Sequence, residues 1–285
     1  MRSAIGIAGS GRVAQALGRL LGDRGEPVVA VAGRDPARTA AAAAFIGSGV
    51  EAVGLEVLPA RADRILVAVA DAALPAVAET LVRAGFRDGV ALHTCGARGP
   101  EALAPIEHAG LLHPLQTIAS PQQGVAALPG SAFAISGDAA AVEWARSIVA
   151  LLGGTPLEIA PERLPLYHAA AVMASNYVHA LTDAAVILMV SAGLEAGTAL
   201  GALAPLIRSS AENSIALGPD RALTGPIERG DEETVRRHLR ALACCPPEVG
   251  ALYRAAGLQV LGIARRRGLA EAAAGRIESL LREGV

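Results

Sequence analysis

Residues Gly9-Ser10-Gly11-Arg12-Val13-Ala14 fit the pattern G-x-G-x-x-A, and their flanks fix what that pattern means. A continuous apolar run, Ala4 to Ala8, precedes them. A helical segment from Val13 to Leu21 follows, with Val13, Ala16, Leu17 and Leu20 on one face. Strand, glycine turn and helix in that order open a βαβ unit. The first glycine permits the tight turn, and the second lets backbone N–H groups approach a pyrophosphate. The small Ala14 lets helix and strand pack closely. The helix start adds a partial positive charge. Gly9, Ser10, Gly11, Arg12 and Val13 are therefore expected to hold a dinucleotide.

The alternation continues. Val28–Ala32, Arg64–Val69 and Gly89–His93 read as buried strands, separated by helical patterns over the alanine run Ala40–Ala44 and over Pro75–Ala84. Continuous apolar strands between helices imply a parallel sheet covered on both faces. Ala132–Ile135 reads as one more strand and Ala139–Leu152 as a helix. Beyond Pro161 the pattern is helical throughout: Leu164–Ala192, Thr198–Leu217, Asp231–Ala243, Glu248–Arg266 and Leu269–Arg282. The expected plan is an α/β Rossmann domain with a mostly parallel sheet over 1–158, then an all-α domain over 159–285.

The end of the second strand selects the dinucleotide. An acidic residue there would bond the ribose 2′-OH of NAD. This strand ends Ala32-Gly33-Arg34-Asp35. Arg34 beside Gly33 can stack on adenine and pair with a 2′-phosphate, which favours NADP(H) over NAD. The alternative is a solvated Arg34, with Asp35 merely capping the next helix. Strand ends of a parallel sheet face the cofactor crevice, which adds Ala70 and His93 to the cofactor contacts. His93 can equally be a strand-end histidine bonded to nearby backbone.

Composition excludes several function classes. All 25 basic residues are arginine, against 27 acidic ones, and the net charge is −2. That balance, without a basic run, argues against nucleic-acid binding. With 52% hydrophobic residues, the chain is not of the disordered class. The absence of lysine excludes any lysine-based mechanism. Cys95, Cys244 and Cys245 are too few for a disulfide framework and suggest a reducing, cytoplasmic compartment. The long apolar stretches are broken by Asp183, Glu195 or Gly/Pro, so no membrane span is expected. No His/Cys/Asp spacing suggests a metal site.

An ordered set of motifs carries a resemblance. It comprises the glycine loop, His93-Thr94-Cys95-Gly96, Leu112-His113-Pro114-Leu115-Gln116-Thr117, Tyr167-His168-Ala169-Ala170-Ala171, Ser175-Asn176-Tyr177, and the segment from Leu223 to Asp231. Over nearly its whole length the chain resembles Rossmann-like proteins with a C-terminal domain of unknown function, family 2520, labelled NADP- or deazaflavin-dependent oxidoreductases. Their plan is similar to 6-phosphogluconate dehydrogenase, ketopantoate reductase and pyrroline-5-carboxylate reductase. The resemblance implies a nicotinamide in a cleft between two domains.

Candidate chemistry follows from these motifs. On a single helix from Leu164 to Ala192, His168, Val172, Asn176 and His179 fall within an arc of roughly 80°. The β-hydroxyacid dehydrogenases and ketopantoate reductases carry Lys-x-x-x-Asn there. Asn176 matches the asparagine, but Val172 takes the lysine position. His168, one turn earlier, is the candidate replacement as general acid–base. His113, resembling the His-Pro pair of prephenate dehydrogenases, is the second candidate proton donor. Asn176 would orient the acceptor, while Arg229 would clamp a carboxylate, with Thr224 and Gln116 as further substrate contacts.

The expectation is an NADP(H)-dependent oxidoreductase reducing a small carbonyl, with a ketopantoate-like α-keto acid as the attractive case. The alternatives are a cyclic-imine reductase of pyrroline-5-carboxylate type and a non-catalytic NADP-binding sensor or scaffold. A homodimer through the apolar helical half is expected.

Overall fold

A computed structural model describes residues 4–283. Its contacts divide the chain into two compact units, 1–175 and 176–285.

The first unit is built on an eight-stranded sheet of order β3-β2-β1-β4-β5-β6-β7-β8. The strands are β1 (Ile5–Ala8), β2 (Val28–Ala32), β3 (Glu51–Val53), β4 (Arg64–Val67), β5 (Val90–His93), β6 (His108–Pro114), β7 (Ala132–Gly137) and β8 (Thr155–Glu158). All neighbours are parallel except β6 and β7, which run antiparallel with Pro114 opposite Phe133 and Gly110 opposite Gly137. The helices are α1 (Arg12–Asp23), α2 (Pro36–Ile46), α3 (Leu74–Arg83), α4 (Pro121–Ala127), α5 (Ala139–Leu151) and α6 (Leu164–Ala174).

The period-2 geometry of the strands sorts the core into two layers. Ile5, Ile7, Val31, Leu66, Leu92 and Leu112 point towards α1, α2 and α5, meeting Leu17, Leu21, Ile46 and Trp144. The alternate residues Ala8, Ala30, Ile65, Val67 and Ala91 point towards Leu74, Ala78 and Leu81 of α3. Each fully buried Leu or Ile contributes roughly 1.5–3 kcal/mol. Small residues set the layer spacing. A Cβ on Gly18 of α1 would lie 2.5 Å from Cδ1 of Ile7, and Ala14 is fully buried. Asp35 caps α2 by accepting from the Arg38 N–H at 3.1 Å, and Asp138 caps α5 through the Ala141 N–H at 2.9 Å.

The contacts divide the chain at 175/176, whereas the change of pattern suggests 158/159. α6 stays with the first unit because Leu164 is buried among Leu111 of β6 and Ala134 of β7, with Tyr167 packed beside them. The single helix expected over 164–192 is interrupted. Ser175 leaves helical geometry at φ −126°, ψ −74°, and α7 (Asn176–Ser191) starts afresh. Ser and Asn compete with the helical backbone through their side chains, so this pair is a natural break. The register drawn from His168 to Asn176 assumes one continuous helix, which the break at Ser175 interrupts.

The second unit contains α7, α8 (Ala196–Leu217), α9 (Pro219–Ala222), α10 (Glu232–Leu242), α11 (Pro247–Arg266) and α12 (Glu271–Glu283). Its core joins Val235, Leu239 and Leu242 of α10 to Leu261 and Ala264 of α11 and Ile277 and Leu281 of α12. Arg265 bridges Glu271 and Glu278, and Arg276 reaches Glu232. By contrast α8 buries only Ala199. Leu200, Leu206, Ile215 and Leu217 lie exposed on it, Ile215 at 86%. The stretch 161–191 is long and apolar enough, at a mean hydropathy of 1.3, to match a membrane span by length and composition. No such stretch is expected from the sequence, where Asp183 interrupts the apolar run.

Candidate functional site

The β1–α1 loop opens the first unit's cavity, and its first glycine is obligatory. Gly9 sits at φ +125°, and a Cβ there would come within 2.1 Å of the Ala68 carbonyl oxygen. Gly11 faces open space and, as the residue preceding α1, offers no capping side chain. The first-turn N–H groups of α1 are thus left for a ligand.

A cavity of about 1150 Å³ extends from this loop. One flank carries Gly33, Arg34, Asp35 and Arg38 after β2. Val69, Ala70 and Thr94 follow at the ends of β4 and β5, and His113, Pro114 and Gln116 close the line at the end of β6. Strand order makes this arrangement: β2, β1, β4, β5 and β6 are adjacent and parallel, so their C-terminal ends open on one edge. Ser10, Arg12 and Val13 also line the cavity, and Arg12 donates to the Ala119 carbonyl at 3.1 Å. Arg38 is a cavity cation that the motif reading missed. It lies four residues beyond Arg34, in the first turn of α2, and that closeness in sequence was the available signal.

His93 follows the backbone-bonded alternative. It is fully buried and absent from the cavity wall. Its Nε2 lies 2.9 Å from the Gly99 carbonyl oxygen, and its Nδ1 accepts from the Cys95 N–H at 3.2 Å. Burial pushes its pKa down, against the pull of the Gly99 bond. Cys95 beside it is buried, and burial with its bond to Asp71 pushes the thiol up. It therefore stays a thiol rather than a nucleophile.

His113 is the centre of a ring cluster. Its Nδ1 lies 2.8 Å from the Tyr167 hydroxyl, with the rings edge to face at 5.7 Å. His168 stands at 5.9 Å between ring centroids. Gly96 makes room for both. A Cβ there would lie 2.7 Å from Cδ2 of His168 and 2.8 Å from Cε1 and Nε2 of His113. Burial, reinforced by His168, lowers the His113 pKa to about 4, against the opposing pull of Asp71. Burial pushes the Tyr167 phenol up to about 12. The structure thus brings together His113 and His168, two of the three expected catalytic residues, and adds Tyr167 and Gly96. These two belonged to recognisable motifs, but no local pattern shows what they touch.

Asn176, Thr224 and Arg229 belong to the second unit. All three are exposed, and Arg229 sits in the turn whose backbone closes from Arg229 N–H to the Gly225 carbonyl at 3.2 Å. Gln116 lines the cavity of the first unit. Among the described residues, no group of three or more His, Cys, Asp or Glu side chains is placed to hold a metal.

Two family models match the chain. A Rossmann-like domain spans residues 1–118, and the domain of unknown function DUF2520 spans 131–260. The chain therefore carries a Rossmann-like domain joined to a DUF2520 domain, as the resemblance implied. Among solved structures it is similar to BF3122 of Bacteroides fragilis, an NADP oxidoreductase candidate. That match has 24% identity and a TM-score of 0.75, covering 90% of this chain and 97% of that one. It is similar to protein TM1727 of Thermotoga maritima at 22% identity and a TM-score of 0.73, covering 92% and 99%. It is also similar to the Plasmodium falciparum pyrroline carboxylate reductase with NADP bound, at 14% identity and a TM-score of 0.59, covering 98% of both chains. At these identities the likeness is one of fold. A search of curated proteins finds no match.

Proposed function

We propose that the protein is an NADP(H)-dependent oxidoreductase that reduces a small carbonyl compound, with an α-keto acid of ketopantoate type as the first substrate to try. One observation carries this reading. A single cavity joins a phosphate-ready glycine loop and two arginines, at one end, to an imidazole at the other.

The residues fit the cofactor. Gly9 and Gly11 leave the α1 N-terminus free for the pyrophosphate. Arg34 and Arg38 answer a 2′-phosphate, which two guanidinium groups recognise by charge-assisted hydrogen bonds. Bound NADPH supplies the hydride. The protein supplies His113 and Gln116 on the cavity wall, with His168 beside His113. No lysine exists to deliver a proton, so acid–base work falls to imidazole or water.

A cyclic-imine substrate is the second reading, favoured by the fold shared with a pyrroline carboxylate reductase. The free thiols of Cys95, Cys244 and Cys245 favour a reducing, cytoplasmic setting. The exposed apolar surface of α8 favours self-association. Leu200 and Ile215, about 60° apart around the helix, are a poor surface for water. Insertion of the neighbouring 161–191 stretch into lipid would place Asp183 in the bilayer at a cost of about 2.5–3.5 kcal/mol. A second copy of this chain is the occupant we propose for that surface.

The test follows absorbance at the nicotinamide band with NADPH and a panel of keto acids and cyclic imines. Turnover with a keto acid supports the reading, and turnover confined to imines selects the alternative. NADPH binding without turnover of any substrate points to a sensor or scaffold, and failure to bind NADPH overturns the proposal.

A further inference from the structure

The sequence offers His113 as a source of protons, but the groups around it suggest a different role. Tyr167 lies on α6, and its hydroxyl has one ring nitrogen of His113, Nδ1, within 2.8 Å. A phenol is a stronger donor than a neutral imidazole N–H, and an imidazole nitrogen is a stronger acceptor than a phenol oxygen. The favoured arrangement is therefore O–H donating to Nδ1. That leaves the proton of a neutral ring on Nε2. Nε2 and Cε1 of the ring occupy the space that a Cβ on Gly96 would take.

The remaining groups facing His113 are few. His168 on α6 and His93 at the end of β5 disfavour a second proton on the ring, while Asp71 in the turn after β4 favours one. Burial outweighs Asp71, and the ring stays neutral down to about pH 4. Tyr167, held protonated well above neutrality, keeps its role as donor.

We propose that Tyr167 locks His113, seated in the space Gly96 leaves, as a neutral Nε2–H imidazole, which serves as a hydrogen-bond donor to the acceptor oxygen of a carbonyl substrate and not as a proton source. The role rests on the function proposed above, but the lock does not. A neutral imidazole can polarise a carbonyl without losing its proton. The proton that completes the alcohol then comes from His168 or water. Tyr167 is a positioning residue, since it acts through His113.

Two experiments separate the lock from the chemistry. The first is ¹⁵N NMR of histidine-labelled protein from pH 8 to 5, with His113 identified by its loss in His113→Gln. Expected is an unprotonated Nδ1 and a protonated Nε2, unchanged across this range. In Tyr167→Phe the Nδ1 signal should shift towards a tautomer mixture. An Nδ1–H tautomer, titration near 6.5, or an unmoved signal in Tyr167→Phe would overturn the lock, whether or not any substrate is turned over. The second uses a substrate from the panel. His113→Gln keeps an N–H donor and should retain activity within about fivefold, while His113→Ala loses about 10²-fold. Tyr167→Phe should lower kcat about tenfold at unchanged NADPH affinity. Equal loss in the Gln and Ala variants would restore His113 as the acid.

Discussion

A Cβ placed on Gly96 would stand 2.7 Å from Cδ2 of His168. Gly96 has no such carbon, and the space it leaves admits His168 and His113 together. Gly96→Ala must push one or both rings aside. Overpacking of this kind costs about 1–3 kcal/mol in stability. Gly96 does not line the cavity, so NADPH affinity should stay within about twofold while kcat falls tenfold or more. Titration calorimetry and steady-state kinetics on the same preparation check both halves. Comparable loss of NADPH binding would show that the glycine serves the cofactor instead.

Arg34 and Arg38 should set the choice between NADPH and NADH. A charge-assisted hydrogen bond contributes about 1.5–3 kcal/mol, or about 10- to 100-fold in affinity. Arg34→Ala and Arg38→Ala are each expected to weaken NADPH by that factor and leave NADH nearly unchanged. Equal losses for both nucleotides would place these arginines elsewhere.

Acid should weaken the fold through His113. Its folded pKa, about 4, lies below the ordinary 6.5, so the unfolded chain takes up the proton first. The neutral ring's contribution is complete above pH 6.5, is lost as pH falls towards 4, and levels off below. At about 1.36 kcal/mol per unit, the loss is on the order of 3 kcal/mol. His93, also pushed down by burial, adds in the same direction. Denaturant midpoints at pH 7.5 and 4.5 should therefore differ less in His113→Gln than in wild type. Staying above pH 4 keeps Asp138 out of the comparison. Its carboxyl is pushed up by burial, but bonds from Ala141 and His108 outweigh that and hold it below 3.8.

Leu200→Glu together with Ile215→Glu should dissolve the proposed pair of subunits. Both positions are exposed in the isolated chain, at 48% and 86%, so the charges cost the fold little. Light scattering should report the mass of two chains for wild type and of one for the variant. A monomeric wild type would remove the proposed partner for α8.

The central strands were legible because burial on both faces makes them apolar without interruption, as in Val28–Ala32 and Arg64–Val67. The edge strands were not. Glu51–Val53 and Thr155–Glu158 are largely exposed, and Pro156 argues against a strand except at an edge. β6 was missed for another reason: Gly110 and the terminal His108 and Pro114 break its apolar pattern. The strand, glycine turn and helix of the β1–α1 loop could be read because they are adjacent in sequence. Tyr167 and His113, by contrast, meet across 54 positions, and no local periodicity records such a contact.

The reversal between β6 and β7 has a consequence for how the chain can be cut. β6 carries His113 to the crevice edge, and β7 and β8 lead the chain away from it. α6 then returns along β6, passing Leu111 at Leu164 and reaching His113 at Tyr167. The match to the Rossmann-like family ends at 118 and the DUF2520 match begins at 131, so the imidazole and its phenol fall under different family models but in one packed unit. A Rossmann half excised at that seam, or grafted onto another helical half, would keep the glycine loop and lose the neighbours that give His113 its character. Any exchange of parts between such proteins has to carry the return helix with the strand.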